Sequence, residues 1–337
     1  MGKIMNIEGK NVLITGGAGF IGSHLVDRFI KEGAGKVIVY DNFSTGNRNF
    51  LEKKPIKIIK GDILNYKKLE ESMKDVDLVS HHAAELEVFT GIENTLHDLR
   101  TNIEGTINVL NAAIENDVEK LIYASSGGVY GQAQFTPEPE NHPLMPHWPY
   151  GVSKLAGEKY CLQYYLLYGF PTTSLRYGIV YGPREWYGRV LTLFIKRVLE
   201  GKAPIIFGDG KQVRDYVYIN DAVDANILAL KSEKANGKVY NVGGKEFHSI
   251  NEVAEIVIKL ISPKLKPIYD DPKPGKSSKY QPNRKRLPGE LRDFFLDSSL
   301  ISKELDYEPK TKFEEGVKKE VEWIRENLEQ WNCQPRV

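Results

Sequence analysis

The apolar run at 12–14 leads straight into Thr15-Gly16-Gly17-Ala18-Gly19-Phe20-Ile21-Gly22, and the next apolar run, 37–40, ends in Asp41. A strand that enters a glycine turn and leaves it as a helix points the unpaired N–H groups of the helix start at one spot, a ready site for a pyrophosphate. Gly16 and Gly19 let backbone approach phosphate, and Gly22 lets the helix approach the sheet. The spacing is Gly-x-x-Gly-x-x-Gly rather than the commoner Gly-x-Gly-x-x-Gly. Asp41 stands about 20 residues on, placed to accept hydrogen bonds from an adenosine ribose. A carboxylate there repels a 2′-phosphate, so NAD is favoured over NADP.

The same rhythm continues along the chain. Short apolar runs at 11–15, 36–40, 56–60, 78–81, 121–125 and 172–177 alternate with helical spacing at 23–31, 66–73, 96–116 and 153–168. That alternation predicts an α/β chain with a Rossmann-type, doubly wound parallel sheet. It breaks after Tyr181. Gly182-Pro183 opens an irregular stretch, a helix is expected at about 190–199, and Gly208-Asp209-Gly210 marks a tight turn. Residues 216–231 and 238–243 read as a return to the sheet. The tail from 250 carries helices, a Pro/Gly-rich segment at 271–289 and an amphipathic helix at 313–328. The expected division is 1–181 plus 215–246 for the dinucleotide-binding domain, and 182–214 plus 247–337 for a smaller mixed α/β substrate-binding domain.

With 337 residues the chain can bury a large core, and 46 Lys plus Arg against 45 Asp plus Glu leave no general electrostatic footprint for nucleic acid or membrane. Cys161 and Cys333 form no close pair, and no His or Cys spacing indicates a metal. Together with the absence of a membrane-length apolar run or a signal peptide, this points to a soluble protein of the reducing cytoplasm.

Tyr150 and Lys154 stand four apart at the start of an expected helix, so both side chains share a face. An ammonium beside a phenol stabilises phenolate, which makes the pair a candidate general base with a lowered tyrosine pKa. Upstream, the strand at 121–124 ends in Ser125-Ser126-Gly127-Gly128-Val129-Tyr130-Gly131, at the sheet edge where ligands bind.

With these parts in order, the chain resembles the extended short-chain dehydrogenase/reductases, specifically the nucleotide-sugar epimerase and dehydratase family. The motifs that carry this run from the glycine turn through Asp41-Asn42-Phe43-Ser44-Thr45-Gly46, Gly61-Asp62-Ile63, His81-His82-Ala83-Ala84 and Asn102. They continue with Ser125-Ser126, Tyr150 with Lys154, Leu175-Arg176-Tyr177, Tyr181-Gly182-Pro183-Arg184 and Arg214-Asp215-Tyr216. The resemblance implies bound NAD held by Gly16, Gly19, Phe20, Ile21, Gly22, Asp41, Asn42, Ser44, Thr45, Gly46, Asp62, Ile63, Ala83, Ala84, Lys154 and Tyr177. It implies Tyr150 as the base, Lys154 on the nicotinamide ribose and Ser126, rather than Ser125, on the reacting sugar hydroxyl. It places Arg214 on the nucleotide diphosphate, Ile205 and Phe207 beside the nucleobase, and either Arg286 or Arg292 as a second diphosphate cation. A homodimer built on the helices at 96–116 and 153–168 is implied as well, with tyrosines 160, 164, 165 and 168 on the second of them.

Within that family the expected reaction is C4 epimerisation of a UDP-hexose or UDP-hexuronate through a 4-keto sugar, with retained NAD. UDP-glucuronate decarboxylation and 4-keto-sugar reduction are the alternatives, and an NAD(H)-binding redox sensor is the non-catalytic one. Dehydratases carry an Asp-Glu pair where this chain has Gly127 and Gly128. Ile179 stands where relatives often have an asparagine touching the diphosphate. In the Arg184-Glu185-Trp186-Tyr187-Gly188-Arg189 stretch, Arg184, Trp186 or Arg189 is the candidate to replace that contact or to recognise a sugar carboxylate. Glu85 and Glu87 read either as exposed loop acids or as lining of the sugar pocket, and Phe294 favours plain over N-acetylated hexoses by its bulk.

Overall fold

In the computed structural model residues 5–329 and 331 are described; Cys333 lies outside them. The strands are β1 (Asn11–Thr15), β2 (Lys36–Asp41), β3 (Lys57–Lys60), β4 (Leu78–His81), β5 (Lys120–Ser126), β6 (Thr172–Tyr177), β7 (Ile179–Tyr181), β8 (Ile205–Phe207), β9 (Val213–Tyr218), β10 (Lys238–Val242), β11 (Phe247–Ser249), β12 (Ile268–Asp270) and β13 (Asp293–Phe294). The helices are α1 (Phe20–Lys31), α2 (Tyr66–Ser72), α3 (Val88–Glu93), α4 (Thr95–Leu99), α5 (Gly105–Glu115), α6 (Pro149–Tyr168), α7 (Val190–Leu199), α8 (Ile219–Lys231), α9 (Ile250–Ile261), α10 (Ser299–Leu305) and α11 (Phe313–Glu326).

Seven strands make one parallel sheet in the order β10-β6-β5-β4-β1-β2-β3, a Rossmann-type arrangement. Its strands are buried because helices cover both faces: Val12, Leu13 and Ile14 have no exposed surface. One apolar cluster lies against α1 and α8, the other against α2, α5 and α6. The strand order reverses between β1 and β4, so the crevice opens where Gly16 follows β1 and Ala83 follows β4.

Two differences from the sequence reading have clear causes. Residues 238–242 do return to the main sheet beside β6, but β9 instead centres a second sheet with β7, β11 and β13. The chain crosses at Gly178, between β6 and β7, pressed so close to Asp215 that a Cβ would lie 3.1 Å from its carboxyl carbon. The expected helix at 96–116 is interrupted by a π-helical turn, Arg100–Glu104. That turn carries Asn102, whose amide donates to Glu85 O (2.8 Å), Asp98 Oδ2 (3.1 Å) and Ser153 Oγ (3.0 Å) and whose oxygen accepts from Glu85 N. Those bonds hold the end of the β4 loop against α6. Among the described residues no helix is long and apolar enough to cross a membrane.

Candidate active site

Thr15 ends β1, Gly16 turns at φ +67°, and α1 begins at Phe20 with Gly19 as its N-cap. Nothing caps that end from a side chain and its first turn holds no acid, so its N–H groups and positive dipole face an open groove. The glycines are required by contact: a Cβ at Gly16 would lie 2.7 Å from Ala83 N, and one at Gly22 would lie 2.2 Å from Gly16 O. Asp41, nearly buried at the end of β2, accepts from Ala18 N (2.9 Å) and Phe43 N (2.7 Å). Burial pushes its pKa up and those two donors pull it down.

The groove holds about 460 Å³. Gly16, Gly19, Phe20, Ile21, Gly22, Asp41, Asn42, Ser44, Thr45, Asp62, Ile63, Ala83, Ala84, Lys154 and Tyr177 all line it. Gly46 stands behind: a Cβ there would meet Ala18 Cβ at 2.7 Å and Asp41 Oδ1 at 3.0 Å, so it backs the acid. Asn42 Nδ2 donates to Asp62 Oδ2 (3.0 Å), joining the loops that follow β2 and β3. A compressed glycine turn, an uncapped helix start and a fixed acid fit a dinucleotide.

A second cavity of about 370 Å³ meets the groove at Ser126, Tyr150, Tyr177 and Arg189, which line both. Helix α6 starts at Pro149, a favoured first position, and sets Tyr150 and Lys154 one turn apart. Lys154 is 4% exposed and donates to Ala124 O (2.9 Å). Burial pulls its ammonium down to about 8. The Tyr150 phenol is raised, not lowered: its own burial outweighs the help of Arg189 and of a hydrogen bond with Ser126. The local expectation of a lysine-activated phenol is thus overridden by desolvation.

The adjacent serines part company. Ser125 Oγ donates to Glu158 Oε2 (3.0 Å), which with Oε1 also takes the Arg176 guanidinium at 2.9 and 2.6 Å in a buried pair. Ser126 Oγ accepts from Gly128 N (3.1 Å) and faces Tyr150. Phe294 fills the space over Gly127 so tightly that a Cβ would lie 2.4 Å from its ring.

Arg214, Phe207, Ile179 and Phe294 line the second cavity. Arg214 is held by three carbonyls, Val213 O (2.9 Å), Arg292 O (2.8 Å) and Leu291 O (2.7 Å). Ile205 is buried behind the wall and receives Arg284 on its carbonyl at 2.8 Å. Neither Arg286 nor Arg292 lines the cavity: Arg286 pairs with Asp271 and Glu290, and the Arg292 side chain is exposed. Arg284 and Lys285 line it instead, the Arg284 guanidinium 4.1 Å from the centre of the Phe207 ring. Nothing in the spacing of 271–289 singles out Arg284; its place follows from how that segment folds onto β8. Trp148, which also lines the cavity, clips the segment through Nε1 to Pro288 O (2.7 Å). Of the two loop acids, Glu85 lines the cofactor groove and Glu87 the second cavity.

Residues 12–243 match the model of the NAD dependent epimerase/dehydratase family. The chain belongs to that family. NAD is its cofactor, as in the family at large. It is 39% identical over 322 residues to a putative UDP-glucose 4-epimerase of Methanocaldococcus jannaschii, covering 94% of this chain and 99% of the relative. It is 35% identical over 329 residues to a UDP-N-acetyl-alpha-D-glucosaminuronate decarboxylase of Bacillus cytotoxicus, covering 94% and 98%. The crystal structure of the Thermotoga maritima UDP-glucose 4-epimerase with UDP-glucose superposes with a TM-score of 0.86 at 36% identity, covering 94% and 99%. The chain is therefore an enzyme of nucleotide-sugar chemistry in a family whose members epimerise, dehydrate or decarboxylate.

Proposed function

We propose that the protein interconverts C4 epimers of a UDP-hexose or UDP-hexuronate through a 4-keto sugar while retaining its NAD. The observation that carries this is the junction of the two cavities at Ser126 and Tyr150, where a sugar hydroxyl can meet both a hydroxyl pair and the cofactor groove. NAD, when bound, supplies the reversible hydride acceptor; Gly16, Gly19, Gly22, Asp41, Asp62 and Lys154 would hold it. Tyr150 exchanges the proton of the C4 hydroxyl as a phenolate, the form that Arg189 and the Ser126 hydrogen bond favour against its burial, and Ser126 orients that oxygen. Arg214 and Arg284 sit on the nucleotide side, where permanently charged forks suit a diphosphate. Water loss lacks its proton carriers at Gly127 and Gly128, and Phe294 occupies the room an acid at 127 would need.

A second reading, decarboxylation of a UDP-hexuronate, is favoured by Arg189. It lines both cavities and its guanidinium, 5.6 Å from the centre of the Tyr187 ring, forms no ion pair with a described residue. The decarboxylase relative acts on a uronate. Proton NMR of the purified protein with UDP-glucose, UDP-galactose and UDP-glucuronate, without added NAD, separates the readings. A C4 epimer supports the proposal; a UDP-pentose with release of CO2 replaces it; unchanged sugars from all three overturn both. We further propose a homodimer, supported by the exposed apolar side chains of α4 and α6.

A further inference from the structure

Two ionisable side chains of opposite sign are buried beside the cofactor groove, Lys154 on α6 and Asp98 on the short helix α4. Neither makes a direct ion pair with a described residue. Lys154 Nζ donates to Ala124 O (2.9 Å) and lies 5.1 Å from the centre of the Tyr123 ring and 5.9 Å from that of Tyr150. Asp98 is 2% exposed.

The Asp98 carboxylate is fixed against the start of α6. Asn102 Nδ2 bridges Asp98 Oδ2 (3.1 Å) and Ser153 Oγ (3.0 Å), and Ser153, the chain neighbour of Lys154, donates to Tyr150 O (3.0 Å). From α3 the backbone comes so close that a Cβ at Gly91 would lie 3.3 Å from Asp98 Oδ2 and 3.6 Å from Pro149 Cβ. The carboxylate is therefore wedged between α3, the π turn and the first turn of α6, which carries Tyr150 and Lys154.

A buried charge is costly unless an opposite charge lies near. Facing Lys154 are Asp98, His81 and His82 at the end of β4, Tyr123 of β5 and Cys161 of α6. Burial, and then Lys154 itself, push both histidines down, and burial pushes the Tyr123 phenol and the Cys161 thiol up, so all four are neutral. Asp98 is left as the anion. Burial pulls Lys154 down against the pull of Asp98, and burial pushes Asp98 up against the pull of Ser153 and Lys154. The other acid facing Asp98, Glu85 of the β4 loop, lies 3.4 Å from His97 Nε2.

We propose that Asp98 is a positioning residue of the active site: held by Asn102 against the first turn of α6, it is the buried counter-charge that keeps Lys154 an ammonium beside the cofactor groove. This rests on the reading of Lys154 as a cofactor contact given above. The same carboxylate opposes a phenolate at Tyr150, which Arg189 favours from the substrate side.

The test is an NMR titration of the NAD-loaded protein, labelled with carbon-13 at lysine Cε, for the natural protein, Asp98→Asn and Asp98→Glu, with pH profiles of sugar turnover in parallel. Lys154→Arg assigns the signal by its loss. Asp98→Asn keeps the shape and an acceptor for Asn102 but removes the charge, and the Lys154 midpoint falls by about one pH unit or more, the usual effect of losing one nearby opposite charge. Asp98→Glu, which keeps the charge, restores most of it. The pH optimum of turnover in Asp98→Asn moves to lower pH, because Lys154 and Tyr150 both lose protons more readily. A purely structural role would lower turnover at every pH and leave the Lys154 midpoint in place. That outcome, or equal falls in the asparagine and glutamate variants, overturns the assignment; Asp98→Ser replaces Asp98→Asn if the latter does not fold. A displaced midpoint in a protein that turns over no nucleotide sugar supports the counter-charge and removes the functional reading alone.

Discussion

At the scale of single residues, Tyr150 shows how burial decides chemistry. Its hydroxyl sits where two cavities join, and removing it leaves the packing of the ring intact. Tyr150→Phe is expected to lower kcat by roughly 10²–10⁴, the usual contribution of a positioned proton carrier, without loss of bound NAD. Epimer formation followed by NMR and NAD released on acid precipitation check the two halves separately. Glu185 and Glu320, both buried and set against each other, make a prediction of stability, since burial holds both carboxyl groups above their ordinary range. Below the ordinary carboxyl range both folded and unfolded chains are protonated, and the pair adds no pH-dependent cost. As pH rises above 4.5 the unfolded chain releases protons that the folded chain keeps, so stability falls up to the raised folded values. Glu320→Gln is therefore expected to raise Tm at pH 8 by roughly 1–2 °C per kcal/mol recovered in a chain of 337 residues, and to leave it unaltered at pH 4. Thermal scans at the two pH values measure this; equal shifts at both would show that packing, not charge, is responsible.

At the scale of elements, the glycine turn and α1 act as one unit, because Gly22 packs its Cα against the turn that precedes its own helix. Gly22→Ala pushes a methyl onto Gly16 O and Gly17 Cα. The expected cost is about 1–3 kcal/mol in urea unfolding, typical of an overpacked site, together with a lower NAD content of the purified protein. A fall in stability with NAD content untouched would separate helix packing from cofactor binding. The substrate segment is tied to the same helix: Arg184 Nη2 donates to Asp27 Oδ2 (2.7 Å), and the His24 ring bonds Pro183 O (2.8 Å). From the other side Trp331 Nε1 donates to Glu185 O (2.6 Å). The glycine turn and its strand were legible from spacing alone, since both are local. The π turn at Arg100–Glu104 was not, because it is stabilised by Asn102 reaching Glu85 and Ser153 across the fold.

At the scale of the whole molecule, α4 and α6 leave an apolar face uncovered. Leu96 is 68% and Leu167 69% exposed, with Leu99 and Tyr160 also open. These exposed apolar side chains are the surface on which the proposed homodimer would form, since a second copy presents the same two helices. Leu167→Glu is expected to shift the mass in light scattering from dimer to monomer; a natural protein that is already monomeric would overturn the assembly. The same scale separates what was readable from what was not. Alternating strand and helix periods, Gly16 to Gly22 with Asp41, and Tyr150 one turn before Lys154 are patterns of neighbours, and the sequence by itself determined the parallel sheet and the cofactor end of the groove. Which arginine enters the substrate cavity, Arg284 rather than Arg286 or Arg292, was decided by how a Pro/Gly-rich segment lies on β8. So were the Phe294 ring over Gly127, the acid pair of Glu185 and Glu320, and the raised phenol of Tyr150. Each of these depends on burial and on contacts between residues far apart in the chain, and no local period records them.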